Sequence, residues 1–150
     1  MKRISIVLSV VFLASIGTAW GQECKVTVSP VNFGDYDTLS AAPRDATGKI
    51  NVTCDAGLPF TVKLGQGETP GRSFNPRELG AASKRDSLQF NLYRDSARQE
   101  IWGDGTGNTF VVTGIGTGNP IPLTVYGRIQ PRQHVPAEDY SDQINVIVEY

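Results

Sequence analysis

Apolar and polar residues alternate one by one along most of the chain, in short segments divided by turn-forming residues. Cys24, Val26 and Val28 alternate with Lys25 and Thr27 until Pro30 ends the run. After the breaker Gly48, Ile50, Val52 and Cys54 alternate with Asn51 and Thr53. The same period recurs at Phe60, Val62 and Leu64, at Leu88, Phe90 and Leu92, at Leu123, Val125 and Gly127, and at Ile144, Val146, Val148 and Tyr150. Residues 110–113 add a short run rich in β-branched side chains. A period of two puts alternate residues on opposite faces of an extended chain, so each segment predicts a half-buried β-strand. Turn material lies between them at residues 55–57, 65–67, 70–71, 103–107 and 114–122. No window carries a helical stripe, although residues 76–86 have room for one helical turn. About seven strands in one chain predict an all-β, antiparallel sandwich.

The first 21 residues have a different character. Lys2 and Arg3 precede an apolar run from Ile4 to Ile16 that only serines interrupt, and Ala19 and Gly21 put small residues where a signal peptidase needs them. Residues 1–21 therefore read as a secretory signal peptide and residues 22–150 as one exported domain. The alternative, an uncleaved anchor, needs a longer apolar run than this, and no later stretch is apolar enough to insert in a membrane. With Lys2 and Arg3 removed from the 14 basic residues against 15 acidic ones, the remainder carries a formal charge of −3. That balance attracts neither nucleic acid nor anionic lipid.

Cys24 and Cys54 are the two cysteines, and both follow the targeting segment. An even cysteine count in an exported chain predicts a disulfide. Face parity agrees: Cys24 shares a strand face with Val26 and Val28, and Cys54 shares one with Ile50 and Val52. A bridge between the first and second strands follows, worth about 3.7 kcal/mol from the entropy of the loop it closes. A metal pair would need further Cys or His ligands nearby.

Nothing in the sequence assembles into catalytic chemistry or a cofactor site. His134 is the only histidine and sits in a polar stretch, without the partners that a base or ligand needs. Gly103-Asp-Gly-Thr-Gly-Asn108 lacks the Lys-Ser/Thr end of a phosphate loop and the spaced acids of a calcium loop. Trp102, Tyr126 and Tyr140 could line a sugar site, but scattered aromatics more often serve a core or its rim.

Several stretches, taken in order, resemble the spore coat protein U domain family, which includes pilin subunits of archaic chaperone–usher systems. They are Val31-Asn-Phe-Gly-Asp-Tyr-Asp37, Gly48-Lys-Ile-Asn-Val-Thr-Cys54, Leu92-Tyr-Arg-Asp95 with Ile101-Trp-Gly-Asp-Gly-Thr-Gly107, Val125-Tyr-Gly-Arg-Ile129, and Tyr140-Ser-Asp142 before the last alternating strand. The resemblance runs from about Cys24 to Tyr150. It implies an immunoglobulin-like sandwich that lacks its final strand, and a groove beside the last strand that a periplasmic chaperone fills first. At the outer-membrane usher a neighbouring subunit's N-terminal segment then replaces the chaperone's strand, which is strand addition at an open edge. Ile144, Val146, Val148 and Tyr150 are the expected contacts for chaperone and neighbouring subunit. The implied product is a pilus or coat at the cell surface, serving adhesion or biofilm. The competing reading is a secreted module that binds carbohydrate or another surface ligand through the Trp102 loop; a small secreted enzyme is a third. Only Gln22 and Glu23 would precede Cys24 after cleavage, so the subunit is expected to accept a donor strand and not to supply one.

The disulfide has a direct check. Intact-mass measurement with alkylation, before and after reduction, should find one bond and no free thiol in the exported protein; two alkylatable cysteines without reductant would contradict it.

Overall fold

A computed structural model describes residues 3–12 and 21–150, with side chains in the first segment described only at Leu8 and Ser9. The described chain is all β. Ten strands follow in order: β1 Arg3–Phe12, β2 Cys24–Ser29, β3 Asn32–Asp35, β4 Arg44–Cys54, β5 Pro59–Leu64, β6 Arg77–Ala81, β7 Ser87–Tyr93, β8 Val112–Ile115, β9 Ile121–Ile129 and β10 Tyr140–Glu149. One layer runs β2-β4-β9-β7-β6 and the other β8-β5-β10-β1-β3. They join at a corner where Tyr140 and Ser141 of β10 pair with Ala81 and Gly80 of β6. The alternation places the core between the layers. Ile50, Val52, Leu88, Phe90, Leu92, Val125 and Ile129 come from one layer. Phe33, Phe60, Val62, Leu64, Ile144, Val146 and Val148 come from the other. Phe33 and Phe90 meet edge to face across the interior, with ring centroids 6.2 Å apart.

The disulfide forms as expected. Cys24 and Cys54 are directly paired residues of the antiparallel β2–β4 ladder, and both are buried. Gly48 does not break β4, which begins at Arg44 and passes straight through it. A Cβ on Gly48 would lie 2.7 Å from the Ser29 carbonyl and 2.8 Å from Val31 Cγ2, and one on Gly127 would lie 2.7 Å from the Phe33 ring. These glycines are flat places on β4 and β9 that let the Val31–Phe33 segment seat against the sheet.

Three other expectations change. Residues 76–86 hold no helical turn; β6 occupies Arg77–Ala81 because Leu79 and Ala81, both buried, alternate with Glu78 and Gly80. The run at 110–113 is displaced, with β8 spanning Val112–Ile115, and β9 starts at Ile121, which shortens the loop read over 114–122. Strands number ten against about seven because β6 was not expected, β3 is only four residues long, and β1 lies in the segment read as targeting.

Two charged residues are buried around the loop after β5. Arg77 is fully buried: Nε and Nη2 donate to the Gly65 carbonyl at 3.0 and 2.8 Å, Nη2 also to the Trp102 carbonyl at 2.7 Å, and Nη1 to Asn91 Oδ1 at 2.8 Å. Phe74 lies against the guanidinium, 5.3 Å from ring centroid to Cζ. Asp142 Oδ1 accepts from the Glu68 and Thr69 amides at 2.9 and 3.0 Å and from Thr69 Oγ1 at 3.1 Å, while the buried Oδ2 has no hydrogen-bond partner. Arg77 thus holds the start of the loop and Asp142 its middle. Burial lowers the Arg77 pKa against the field of Asp142, which supports the cation. Burial pushes the Asp142 carboxyl up, and the hydrogen bonds from Glu68 and Thr69 pull the other way.

Removing the guanidinium by Arg77→Ala leaves buried acceptors at Gly65, Trp102 and Asn91 without their donor. It should destabilise the oxidised protein by about 3 to 5 kcal/mol, measured by urea unfolding. Asp142 predicts a pH dependence of known sign. Its folded-state pKa is raised, so the folded protein holds that proton more tightly than the unfolded chain does. This contribution to stability is complete below the ordinary carboxylate range and is lost as pH rises through the raised value. Asp142→Asn cannot titrate, so its stability relative to wild type should increase as pH rises above the ordinary carboxylate range; a difference that stays flat would contradict the assignment.

Candidate strand-acceptor groove

β10 lies inside its layer and uses both hydrogen-bonding edges. On one edge its second half pairs antiparallel with β5, from Val146↔Leu64 to Glu149↔Thr61, and its first two residues reach β6. On the other edge it pairs with β1 over eight positions, from Ser5↔Ser141 to Phe12↔Val148. β1 in turn pairs antiparallel with β3, through Arg3↔Asp35, Ile4↔Gly34 and Ser5↔Asn32, with a register shift between Ile4 and Ser5. β10 and β3 therefore bound a slot one strand wide, and β1 stands in it. The β1–β10 ladder is the one parallel pairing among the described strands.

Three of the four residues read as contact positions line the β10 side of this slot. Ile144, Val146 and Val148 are buried, and the register sets Leu8, Val10 and Phe12 opposite them. Leu8 is 9% exposed. Tyr150 lies one residue beyond β10 and is partly buried against the same core. Asp142 stands at the other end of the slot, opposite Ile6, so the buried carboxylate and the groove share a strand. The exposed pair of Lys63 Nζ with Glu149, 2.7 Å apart, lies at the β5 edge and adds little.

The remaining candidate residues lie elsewhere. Trp102 is fully buried and its indole N–H donates to the Val62 carbonyl at 3.0 Å, so it cannot offer a face to a sugar. Tyr140 is buried with its hydroxyl donating to the Pro136 carbonyl at 2.8 Å, and Tyr126 is half-buried under Arg98, whose Cζ is 5.6 Å from the ring. The three rings therefore form no common platform. In the 103–107 turn, Asp104 Oδ1 accepts from the Thr106 amide and hydroxyl, a local turn bond. His134 is exposed. Among the described residues no cluster of three His, Cys, Asp or Glu side chains could hold a metal ion, and no helix is long and apolar enough to cross a membrane.

β1, Arg77 and Asp142 belong to this region although the alternation alone does not assign them to it. The signal for β1 was present: Ser5 and Ser9 interrupt Ile4, Ile6, Leu8 and Val10 at strand spacing, inside a run whose hydrophobicity already had an explanation. The expected cleavage site falls at Ala19 to Gly21, of which residues 19 and 20 lie outside the described residues.

Residues 10–147 match the Spore Coat Protein U domain family. The chain is 34% identical over 125 residues to "Protein U" of Myxococcus xanthus, covering 76% of this chain and 68% of that protein. Its fold is similar to that of a chain in the crystal structure of the CsuC–CsuE chaperone–tip adhesion subunit pre-assembly complex from archaic chaperone-usher Csu pili of Acinetobacter baumannii. The TM-score is 0.59 at 20% identity, over 86% of this chain and 40% of that one. This chain thus spans less than half the length of the solved one, and the likeness is one of fold. By its family match over most of its length, and by its kinship to Protein U, the chain belongs to the Spore Coat Protein U domain family.

Proposed function

We propose that this protein is a structural subunit of a cell-surface pilus or coat, and that the slot between β10 and β3 is where other chains join it by strand addition. One observation carries the reading: the two strands bounding the slot do not pair with each other, and the strand between them comes from the segment read as a signal peptide. Removal of residues 1–21 on export leaves the edge of β10 from Ser141 to Val148 without a ladder partner. An open edge backed by Ile144, Val146 and Val148 invites aggregation. A periplasmic chaperone supplies a strand to it, and a neighbouring subunit takes the chaperone's place at the outer-membrane usher. Family membership supports the subunit role over an enzymatic one, and the fold likeness to a chain from a chaperone–subunit complex supports the partners. Adhesion and biofilm formation are the expected uses of the product.

The disulfide fits a subunit that accepts strands and does not donate them. Cys24 is the first residue of β2 and is bonded to its ladder partner on β4, so β2 stays in its own sheet. After cleavage, Gln22 and Glu23 are too few for a donor, since a strand of typical length needs about five residues or more. Carbohydrate binding through the Trp102 loop is not favoured, because Trp102 is interior.

Replacing Val146 and Val148 with Asp puts two charges at buried positions along the slot. Periplasmic yield and chaperone co-purification should both fall. The decisive quantity is chaperone recovered per molecule of subunit: it should fall for this variant and hold for Val52→Asp, which damages the core from β4, outside the slot. Equal chaperone recovery in the two variants would count against the groove.

A further inference from the structure

We infer that residues 3–12 act in cis as the first occupant of the groove: while they remain attached the chain fills its own strand position, and their removal opens the site. The inference rests on the slot being the partner site and adds the event that makes it available. The backbone of β1 is an interior strand, not an edge appended to the fold. It meets β10 at eight positions on one side and β3 at three on the other. Ile6, Leu8, Val10 and Phe12 fall at every second position, opposite Asp142, Ile144, Val146 and Val148. Leu8 is as buried as a core residue. The family match begins at residue 10, inside this strand.

The same short apolar sequence thus meets two requirements. Export asks for hydrophobicity without regard to spacing; the slot asks for apolar residues at strand period in one register. Ser5 and Ser9 satisfy both, being tolerated in an apolar run and standing opposite Ser141 and Asn145, positions of β10 outside the buried set. The point of departure is fixed as well. Because Cys24 is bonded to Cys54 at the first residue of β2, β1 can leave the slot without peeling β2 from β4. An occupant tethered in this way competes at an effective concentration in the millimolar range. A free strand of similar affinity is excluded until the tether is cut.

The test uses the full chain, refolded with its disulfide formed and carrying a protease site between Phe12 and Gly21. The probe is a fluorescent synthetic peptide of residues 2–14. The uncut chain should take up the probe at least about 100-fold more weakly than the cut chain. After cutting, the N-terminal piece should co-elute with the body until the probe displaces it, and displacement should leave the thermal midpoint unchanged. Val10→Asp, placed opposite Val146, should lower the midpoint of the uncut chain and let it accept the wild-type probe. Equal uptake before and after cutting, or a cut piece that separates from the body in the absence of probe without lowering the midpoint, overturns the inference. A chain that co-purifies with a periplasmic chaperone but never takes up the probe overturns it too, while leaving the assembly reading intact. A chain that takes up the probe but never engages a chaperone sustains the inference and overturns the assembly reading.

Discussion

A strand buried inside a layer must have both of its hydrogen-bonding edges occupied, and β10 is such a strand. With β1 in place its Ile144, Val146 and Val148 side chains are buried; without it the strand would present a row of unpaired amides and carbonyls beside an apolar stripe, an edge prone to pair with other chains. β5 and β6 occupy one edge. The other edge has no partner within residues 21–150 and is completed by a segment that the chain brings from outside that body. The slot follows from this vacancy: β3 lies too far across to pair with β10, and one strand fits between them.

The rest of the body keeps the slot in shape. Phe33, on the β3 side, is seated against Gly127 and Phe90, so the far wall is tied to the opposite layer. Arg77 and Asp142 fix the loop after β5 from inside, and the Gly65 amide donates to the Asn145 carbonyl at 2.9 Å, which ties that loop to β10 itself. The Cys24–Cys54 bond closes the layer at β2. Walls held this way suit the proposed replacement of one strand by another, since they do not depend on the occupant alone.

Much of this was legible in the sequence because period-two alternation is itself the signature of a sandwich with one core. It located β2, the second half of β4, β5, β7, β9 and β10, and parity placed both cysteines on the core face. What it missed has physical causes. Gly48 looks like a breaker by composition, yet its role is to leave room for Ser29 and Val31, which lie elsewhere in the chain's path. β6 was hidden because its buried leading residue is Arg77, whose charge reads as solvent-facing until the carbonyls of Gly65 and Trp102 are seen around it. Trp102 reads as an exposed loop aromatic because nothing local reveals the Val62 carbonyl that receives its N–H. β1 was concealed by a competing explanation, since a targeting segment and a groove-filling strand share a composition and differ only in register.

A partner's strand is proposed to take the place of β1. The structure of the processed protein bound to its periplasmic chaperone addresses it directly. An extended chaperone segment should lie between β10 and β3, with apolar side chains in register with Ile144, Val146 and Val148. A complex in which β10 pairs directly with β3, or in which the chaperone binds away from that slot, would contradict it.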